Sequence, residues 1–302
     1  MKILITGASG LLGRALMSEF EGDTSFDVLG LAFSRPKGTL RKVDIRDEDG
    51  VRKIMQEFQP DAVIHAAAQR RPDIVERDEE AARTINCSAT EIIATISAEI
   101  GAFLIFISTT YVFDGTNPTY KPSDRTNPVN IYGRQKLEGE KISQTHNPNY
   151  AVLRVPILYG QIETIEESAV TTLLNTLVNQ DNVDLVDDCC IRCPTHVDDI
   201  AVVCRQMCER RTTDPESVSG VFHWCGADFM TKYTMIVTIA NAFNLPHGHL
   251  RANPVQPAGE TPRPKDCSMD RSKLVSLGIG QTTPFTEGIQ KVMKPFISKN
   301  YS

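Results

Sequence analysis

No stretch of this 302-residue chain approaches the roughly 20 consecutive apolar positions that a membrane-spanning helix needs. A secretory leader is missing as well. Met1-Lys2 passes straight into Ile3-Leu4-Ile5 and a glycine turn, with no small-residue cleavage site, so a cytoplasmic protein is expected. Basic residues are in deficit, 32 Lys and Arg against 38 Asp and Glu, for a formal net charge of -6. That balance argues against nucleic acid and anionic membrane as partners, because both attract basic surfaces. Small anionic ligands stay open, since a local pocket can be positive on an acidic protein. Repeats, coiled-coil heptads and low-complexity tracts are lacking too.

Cysteine is present, eight residues in all, but a second compact ligand pair is not. Cys189, Cys190 and Cys193 stand close to His196, with Cys190 and Cys193 in or beside an expected strand. Cys204 and Cys208 fall on an expected helix among apolar neighbours. Reduced, partly buried thiols are expected and no metal.

What the chain does have is 41% hydrophobic and 23% charged residues, enough to bury a sizeable core. Its first half alternates strand and helix. Apolar runs at 2–6, 26–33, 42–44, 61–65, 103–107 and 151–155 read as strands. Helical spacing covers 11–20, 51–58, 79–100 and 130–143. This rhythm predicts an α/β fold, a Rossmann-type doubly wound parallel sheet covered on both faces. After Tyr159 the rhythm loosens, with helices expected at 166–179, 197–209, 231–243 and 284–295 and short strands at 184–186 and 221–224. The stretch 253–264 carries four prolines and reads as irregular. The expected organisation is a cofactor domain over 1–160 and a smaller α/β lobe over 161–302, with segments of the lobe returning to the sheet.

Thr6-Gly7-Ala8-Ser9-Gly10-Leu11-Leu12-Gly13 joins the first strand to the first helix. Glycines there permit a tight turn, close approach of backbone to a pyrophosphate, and close packing of helix on strand. The helix start then offers free N–H groups and positive dipole. A nicotinamide dinucleotide is therefore expected. At the second strand tip an NAD site offers a carboxylate to the ribose hydroxyls. Here Phe33-Ser34-Arg35 offers none, and Arg35 with Ser34 suits a 2′-phosphate. NADP is the expected cofactor, with Arg14 as a further aid.

The strand over 103–107 runs into Ser108-Thr109-Thr110-Tyr111, and Tyr132-Gly133-Arg134-Gln135-Lys136 lies on a downstream helix. Four-residue spacing puts Tyr132 and Lys136 on one helix face. With the TGxxGxxG turn, this resembles the extended short-chain dehydrogenase/reductases over essentially the whole chain. The resemblance implies that Asp44-Ile45 lies by the adenine and that Ala66, Ala67 and Ala68, after His65, line the cofactor together with Pro156. It implies a catalytic tetrad of Asn86, Thr109, Tyr132 and Lys136, with Ser108 the weaker alternative to Thr109. Tyr132 would donate the proton, while Lys136 would hold the ribose and lower the tyrosine pKa.

Within that superfamily the chain is similar to dTDP-4-dehydrorhamnose reductases, and more closely to their offshoot, the regulatory beta subunits of methionine adenosyltransferase. The stretches that carry this likeness include Gln69-Arg70-Arg71-Pro72-Asp73, Phe113-Asp114-Gly115-Thr116-Asn117-Pro118, Glu166-Glu167-Ser168-Ala169-Val170-Thr171 and Phe222-His223-Trp224. The likeness implies a non-catalytic, NADP(H)-binding regulatory subunit in S-adenosylmethionine synthesis, partnered by the methionine adenosyltransferase catalytic subunit. The rival is an NADPH-dependent sugar-nucleotide reductase. Two departures stand out. Thr110 replaces the aspartate of the reductases' STDY motif, and the chain stops at Ser302, where the resembled subunits run on into an aromatic and basic docking tail. Phe296, Ile297 and Tyr301 are then left as the expected anchors. Of the remaining picks, Arg70 to Asp73 reads as a pocket loop or as a turn capped by Asp73. His196 reads as a strand-end residue, Asp198-Asp199 as helix caps, and Trp224 as a core or pocket-wall aromatic.

Overall fold

The computed structural model describes residues 1–180, 183–255 and 261–300. The chain opens with β1 (Lys2–Thr6), α1 (Leu11–Glu21), β2 (Asp27–Ala32), β3 (Arg41–Lys42), α2 (Glu48–Phe58) and β4 (Ala62–His65). It continues through α3 (Pro72–Arg77), α4 (Glu79–Arg83), α5 (Ala89–Glu99), β5 (Phe103–Thr109), α6 (Ile131–His146) and β6 (Tyr150–Val155). Then follow β7 (Leu158–Tyr159), α7 (Leu173–Val178), β8 (Asp184–Asp187), β9 (Thr195–His196), α8 (Val197–Thr213) and β10 (Gly220–His223). Last come α9 (Lys232–Ala242), β11 (Leu250–Asn253), α10 (Ser272–Val275) and α11 (Phe285–Asn300).

Seven parallel strands form the central sheet in the order β10-β6-β5-β4-β1-β2-β3. Period-two alternation buries both faces of these strands. Ile3, Ile5, Ile64 and Ile105 pack against Leu16 and Phe20 of α1 and Ile200 and Met207 of α8. Leu4, Val63 and Leu104 pack on the other side against Val51 and Met55 of α2 and Ile93 and Ile96 of α5. The strand order reverses between β1 and β4, and such a switch point opens a ligand crevice beyond the carboxyl ends of the strands. The second half contributes β10 to the sheet edge and α8 to its face. It also builds two small parallel pairs, β8 with β11 and β7 with β9.

Local chemistry explains where the elements depart from expectation. The helix expected over 79–100 is broken into α4, a π turn at Thr84–Ser88, and α5. At that turn Asn86 aims its side chain at Gln69 and Gln135, while its carbonyl takes the Thr90 hydroxyl at 2.9 Å. The helix expected over 166–179 shrinks to a 3-10 turn at Ile165–Glu167 followed by α7. Ser168 and Thr171 donate their hydroxyls to the carbonyls of Leu158 and Ile165, both at 2.7 Å, and so compete with helical pairing.

At the far end of the chain, Ile297 is 8% exposed and belongs to the core, with Phe296 packed against it. The expectation that Ile297 anchors a partner is corrected, because the protein's own core holds it, whereas Phe296 is only partly buried. Tyr301 lies outside the described residues, as does 256–260 within the proline-rich stretch. Among the described residues, no helix is long and apolar enough to cross a membrane.

Candidate functional site

A cavity of about 930 Å³ opens at the switch point. Its floor is the glycine turn. Gly7 adopts a φ of +69°, and a Cβ there would lie 2.9 Å from the backbone of Ala67. At Gly13 a Cβ would come within 2.1 Å of the Gly7 carbonyl oxygen. Only glycine allows α1 to sit this close to β1, and the resulting cradle fits a pyrophosphate laid against backbone N–H groups. Gly10 caps α1 without any side-chain hydrogen bond, which leaves the helix start to a ligand. Gly7, Ser9, Gly10, Leu11, Leu12 and Gly13 all line the cavity, as do Ala66, Ala67, Ala68 and Pro156.

Thr6 does not. It is fully buried, with its hydroxyl 2.7 Å from His65 Nδ1 and accepting from the Ala67 N–H at 3.2 Å. It ties β1 to β4, so its expected contact with cofactor is corrected to support of the turn from behind.

Phe33, Ser34, Arg35, Asp44 and Ile45 line the end of the cavity beyond β2 and β3. Arg46 pairs with Asp44 at 2.6 Å and lies 5.8 Å from the Phe33 ring centroid. The hydrogen bond from Arg46 holds the Asp44 carboxyl below its ordinary range. Arg35 is no free loop charge. Its guanidinium meets Glu167 at 2.7 Å and Glu163 at 3.1 Å, and donates to the Ser9 carbonyl at 3.1 Å. Arg14 also meets Glu167, at 2.6 Å, and donates to the Ser9 and Gln161 carbonyls.

At the centre, Thr109, Tyr132 and Lys136 come together from β5 and α6. Asn130 starts α6 by accepting from the Gly133 N–H at 2.8 Å, which fixes the rotation of both side chains. Burial pushes the Tyr132 phenol up to about 12, against the hydrogen bond with Thr109 and the charge of Arg70. The charge that favours the phenolate is therefore that of Arg70, and the expected lowering by Lys136 is corrected. Burial also brings Lys136 down to about 7, although Glu140 and Cys87 oppose it. The Lys136 ammonium nitrogen lies 4.0 Å from the Phe106 ring centroid.

The choice between the two hydroxyls is decided by Glu140. Ser108 donates to its carboxylate at 2.5 Å, and that carboxylate pairs with Arg154 at 2.7 Å behind the cavity wall. Thr109 is left to face Tyr132. Asn86 is also displaced from its expected place. It accepts from the Gln69 N–H at 2.8 Å and donates to Gln135 at 2.9 Å, so it braces the wall while its neighbour Ile85 lines it. Thr110 is buried at the cavity wall.

The far end is rich in cations that sequence reasoning mostly missed. Arg70, Arg71, Arg192, Lys232 and Arg263 all line it. Arg70 donates to the Glu167 carbonyl, and Arg71 to the Glu166 carbonyl at 2.7 Å. Arg263 grips Asp73 through contacts of 2.9 and 2.8 Å. Arg71 is the N-cap of α3 and Pro72 its first residue, so all four residues of 70–73 line the cavity but only Arg70 and Arg71 precede the helix, and the capping role of Asp73 is corrected. The pairing of Asp73 with Arg263 spans the chain, and no local pattern announces it.

Other picks resolve outside the cavity. His196 caps α8 by accepting from the Asp198 N–H at 3.3 Å. Asp199 instead accepts from Thr283, N–H and hydroxyl both at 2.8 Å, which corrects its capping role. Trp224 is a core residue, 3% exposed, donating to the Gln281 carbonyl at 3.0 Å. Among the described residues, the ligand atoms of Asp187, Cys189 and Cys190 gather within 4.8 Å. Arg192 already pairs with that aspartate at 2.7 Å.

Comparison with known proteins agrees with this geometry. Residues 1–298 match the RmlD substrate binding domain family. The chain is 47% identical to methionine adenosyltransferase 2 subunit beta of Bos taurus over 296 residues, 98% of this chain and 88% of that protein. It is 31% identical over 239 residues to dTDP-4-dehydrorhamnose reductase of Aggregatibacter actinomycetemcomitans, covering 79% and 78% of the two chains. The solved structure of dTDP-4-dehydrorhamnose reductase from Bacillus anthracis, in complex with NADP, superposes with a TM-score of 0.83. Its identity is 25%, over 97% of this chain and 99% of that one. The chain belongs to the methionine adenosyltransferase 2 subunit beta family and to the RmlD substrate binding domain family.

Proposed function

We propose that this protein is a cytoplasmic, NADP(H)-binding regulatory subunit that docks on a methionine adenosyltransferase catalytic subunit and modulates S-adenosylmethionine synthesis. The observation that carries the reading is the 47% identity to the beta subunit of Bos taurus over 98% of the chain. The boundary between the cofactor domain and the lobe is taken at Gly160. Gly7 to Gly13 would hold the pyrophosphate, Arg35 and Ser34 the 2′-phosphate, and Lys136 the nicotinamide-side ribose. When bound, the cofactor supplies or accepts hydride. Thr109 and Tyr132 present the hydroxyls that would orient a carbonyl.

Both proton-handling groups are tuned away from that chemistry at neutral pH. Burial holds the Tyr132 phenol at about 12 and Lys136 at about 7, so the lysine is only partly charged in the free protein. Thr109, Tyr132 and Lys136 nevertheless survive, which keeps a sugar-nucleotide reductase as the second reading.

Co-expression with the catalytic subunit, followed by size-exclusion chromatography with light scattering, tests the first reading. One complex is expected, with altered methionine kinetics. Two separate peaks at micromolar concentration with NADP(H) present would overturn it. Absorbance of NADPH with a dTDP-4-keto sugar tests the second. Slow or no oxidation is expected, and robust turnover that vanishes in Tyr132→Phe would exchange the two readings.

A further inference from the structure

The strap from Gln161 to Glu167, which follows β7, crosses the cation cluster beside the glycine turn. It delivers two carboxylates to three cations, Arg14, Arg35 and Lys37. The two carboxylates are not equivalent. Glu167 has a side chain only 8% exposed. It accepts from Arg14 at 2.6 Å, from Arg35 at 2.7 Å and from the Glu163 N–H at 2.9 Å. Burial raises its carboxyl, yet these bonds bring it down to about 2. Glu167 is a fixed post on which the arginines are strung.

Glu163 is held more loosely. Its side chain is 35% exposed, and it meets Lys37, itself 72% exposed, at 2.8 Å and Arg35 at 3.1 Å. Exposed pairs of this kind contribute little and exchange readily. The position matters more than the strength, because Glu163 takes the same Arg35 Nη1 that Glu167 holds, and Arg35 itself lines the cavity with Ser34.

We infer that Glu163 is an internal anion occupying the 2′-phosphate position, and that it is a specificity-determining residue for the cofactor. The inference rests on the NADP(H) reading above. A phosphate monoester carries about −1.5 to −2 charge at neutral pH, so it and Glu163 repel when they share Arg35 and Lys37. Binding a 2′-phosphate therefore requires Glu163 to swing out while Glu167 stays. A dinucleotide without that phosphate leaves Glu163 in place. Glu163 thus weakens selection for the 2′-phosphate, the same direction as a carboxylate that binds the ribose hydroxyls, but by occupying the cations instead of the ribose.

Calorimetric titration of the full chain with adenosine 2′,5′-bisphosphate and with 5′-AMP tests this. Glu163→Gln should tighten the bisphosphate roughly two- to fivefold, the scale of one exposed ion pair, and leave 5′-AMP unchanged. The gain should shrink as salt rises, because exposed charges are screened. Lys37→Met should weaken the bisphosphate alone. Unchanged or weaker bisphosphate binding in Glu163→Gln, or equal tightening of both nucleotides, would overturn the inference while the cofactor reading stands. If the native chain binds neither nucleotide, the cofactor reading falls and takes the inference with it.

Discussion

The two ends of the cavity are made of different materials. At the cofactor end the wall is backbone, a glycine turn and a helix start within Gly7 to Gly13, and its charges lie near the surface. At the carbonyl end the wall is side chain, with Arg70, Thr109, Tyr132, Arg192 and Arg263 delivered by widely separated segments. The ion pairs differ in the same sense. Arg154 and Glu140, behind the carbonyl end, have side chains 4% and 6% exposed, whereas Arg35 and Glu163 are 42% and 35% exposed. A backbone site is local and keeps its shape whatever its charges do. A side-chain site depends on buried partners that are costly to leave alone.

The largest expected effect follows from that difference. Arg154→Met takes both guanidinium hydrogen bonds from the buried Glu140 carboxylate and leaves it the Ser108 hydroxyl as hydrogen-bond donor, and should cost about 3–5 kcal/mol of stability. Arg35→Ala should cost less than about 1 kcal/mol of stability, yet weaken NADP(H) roughly tenfold or more while sparing NAD(H). Urea unfolding and calorimetric titration read the two quantities. Equal stability losses would erase the distinction between the ends.

A second test breaks the backbone end. Gly13→Ala drives a Cβ to 2.1 Å from the Gly7 carbonyl oxygen and 2.7 Å from the Ala8 Cα. Neither is a flexible side chain that can yield, so a loss of about 1–3 kcal/mol is expected, together with loss of dinucleotide binding. Gly248 has nothing within 4 Å of its Cβ position. Gly248→Ala is the control, expected to be neutral or to stabilise by up to about 1 kcal/mol. Retained cofactor binding in Gly13→Ala would mean that the turn is not the cradle.

How much was legible beforehand follows the same division. The glycine turn, the alternating strands and the Tyr132-to-Lys136 spacing are local patterns, and they located the sheet, the cradle and the central pair. The helix expected over 79–100 was misread because helical spacing in Ile93 and Ile96 carries no sign of the side-chain bonds that Asn86 makes. Thr6 and Asn86 are buried behind the wall and not on it, a difference that no motif encodes. Glu163 and Asp73 were opaque for another reason. Their partners Arg35 and Arg263 lie 128 and 190 residues away in sequence, so only the folded chain brings the charges together.

The smallest expected effect concerns Lys136, where the side-chain end exacts a pH-dependent cost. Burial lowers its pKa from 10.5 to about 7, with Glu140 and Cys87 opposing and Phe106 packed against the ammonium. Between about pH 7 and 10.5 the unfolded chain binds a proton that the native chain does not. Stability from this group therefore rises with pH across that window, and it is lowest below about 7, where the native lysine must be charged while buried. Lys136→Met removes the titration. Relative to the native protein, the variant should be more stable at pH 6 than at pH 10, and this relative gain should fade steadily as the pH rises between them. Thermal unfolding at several pH values would show it, and two parallel stability curves would mean that Lys136 stays fully charged in the native state.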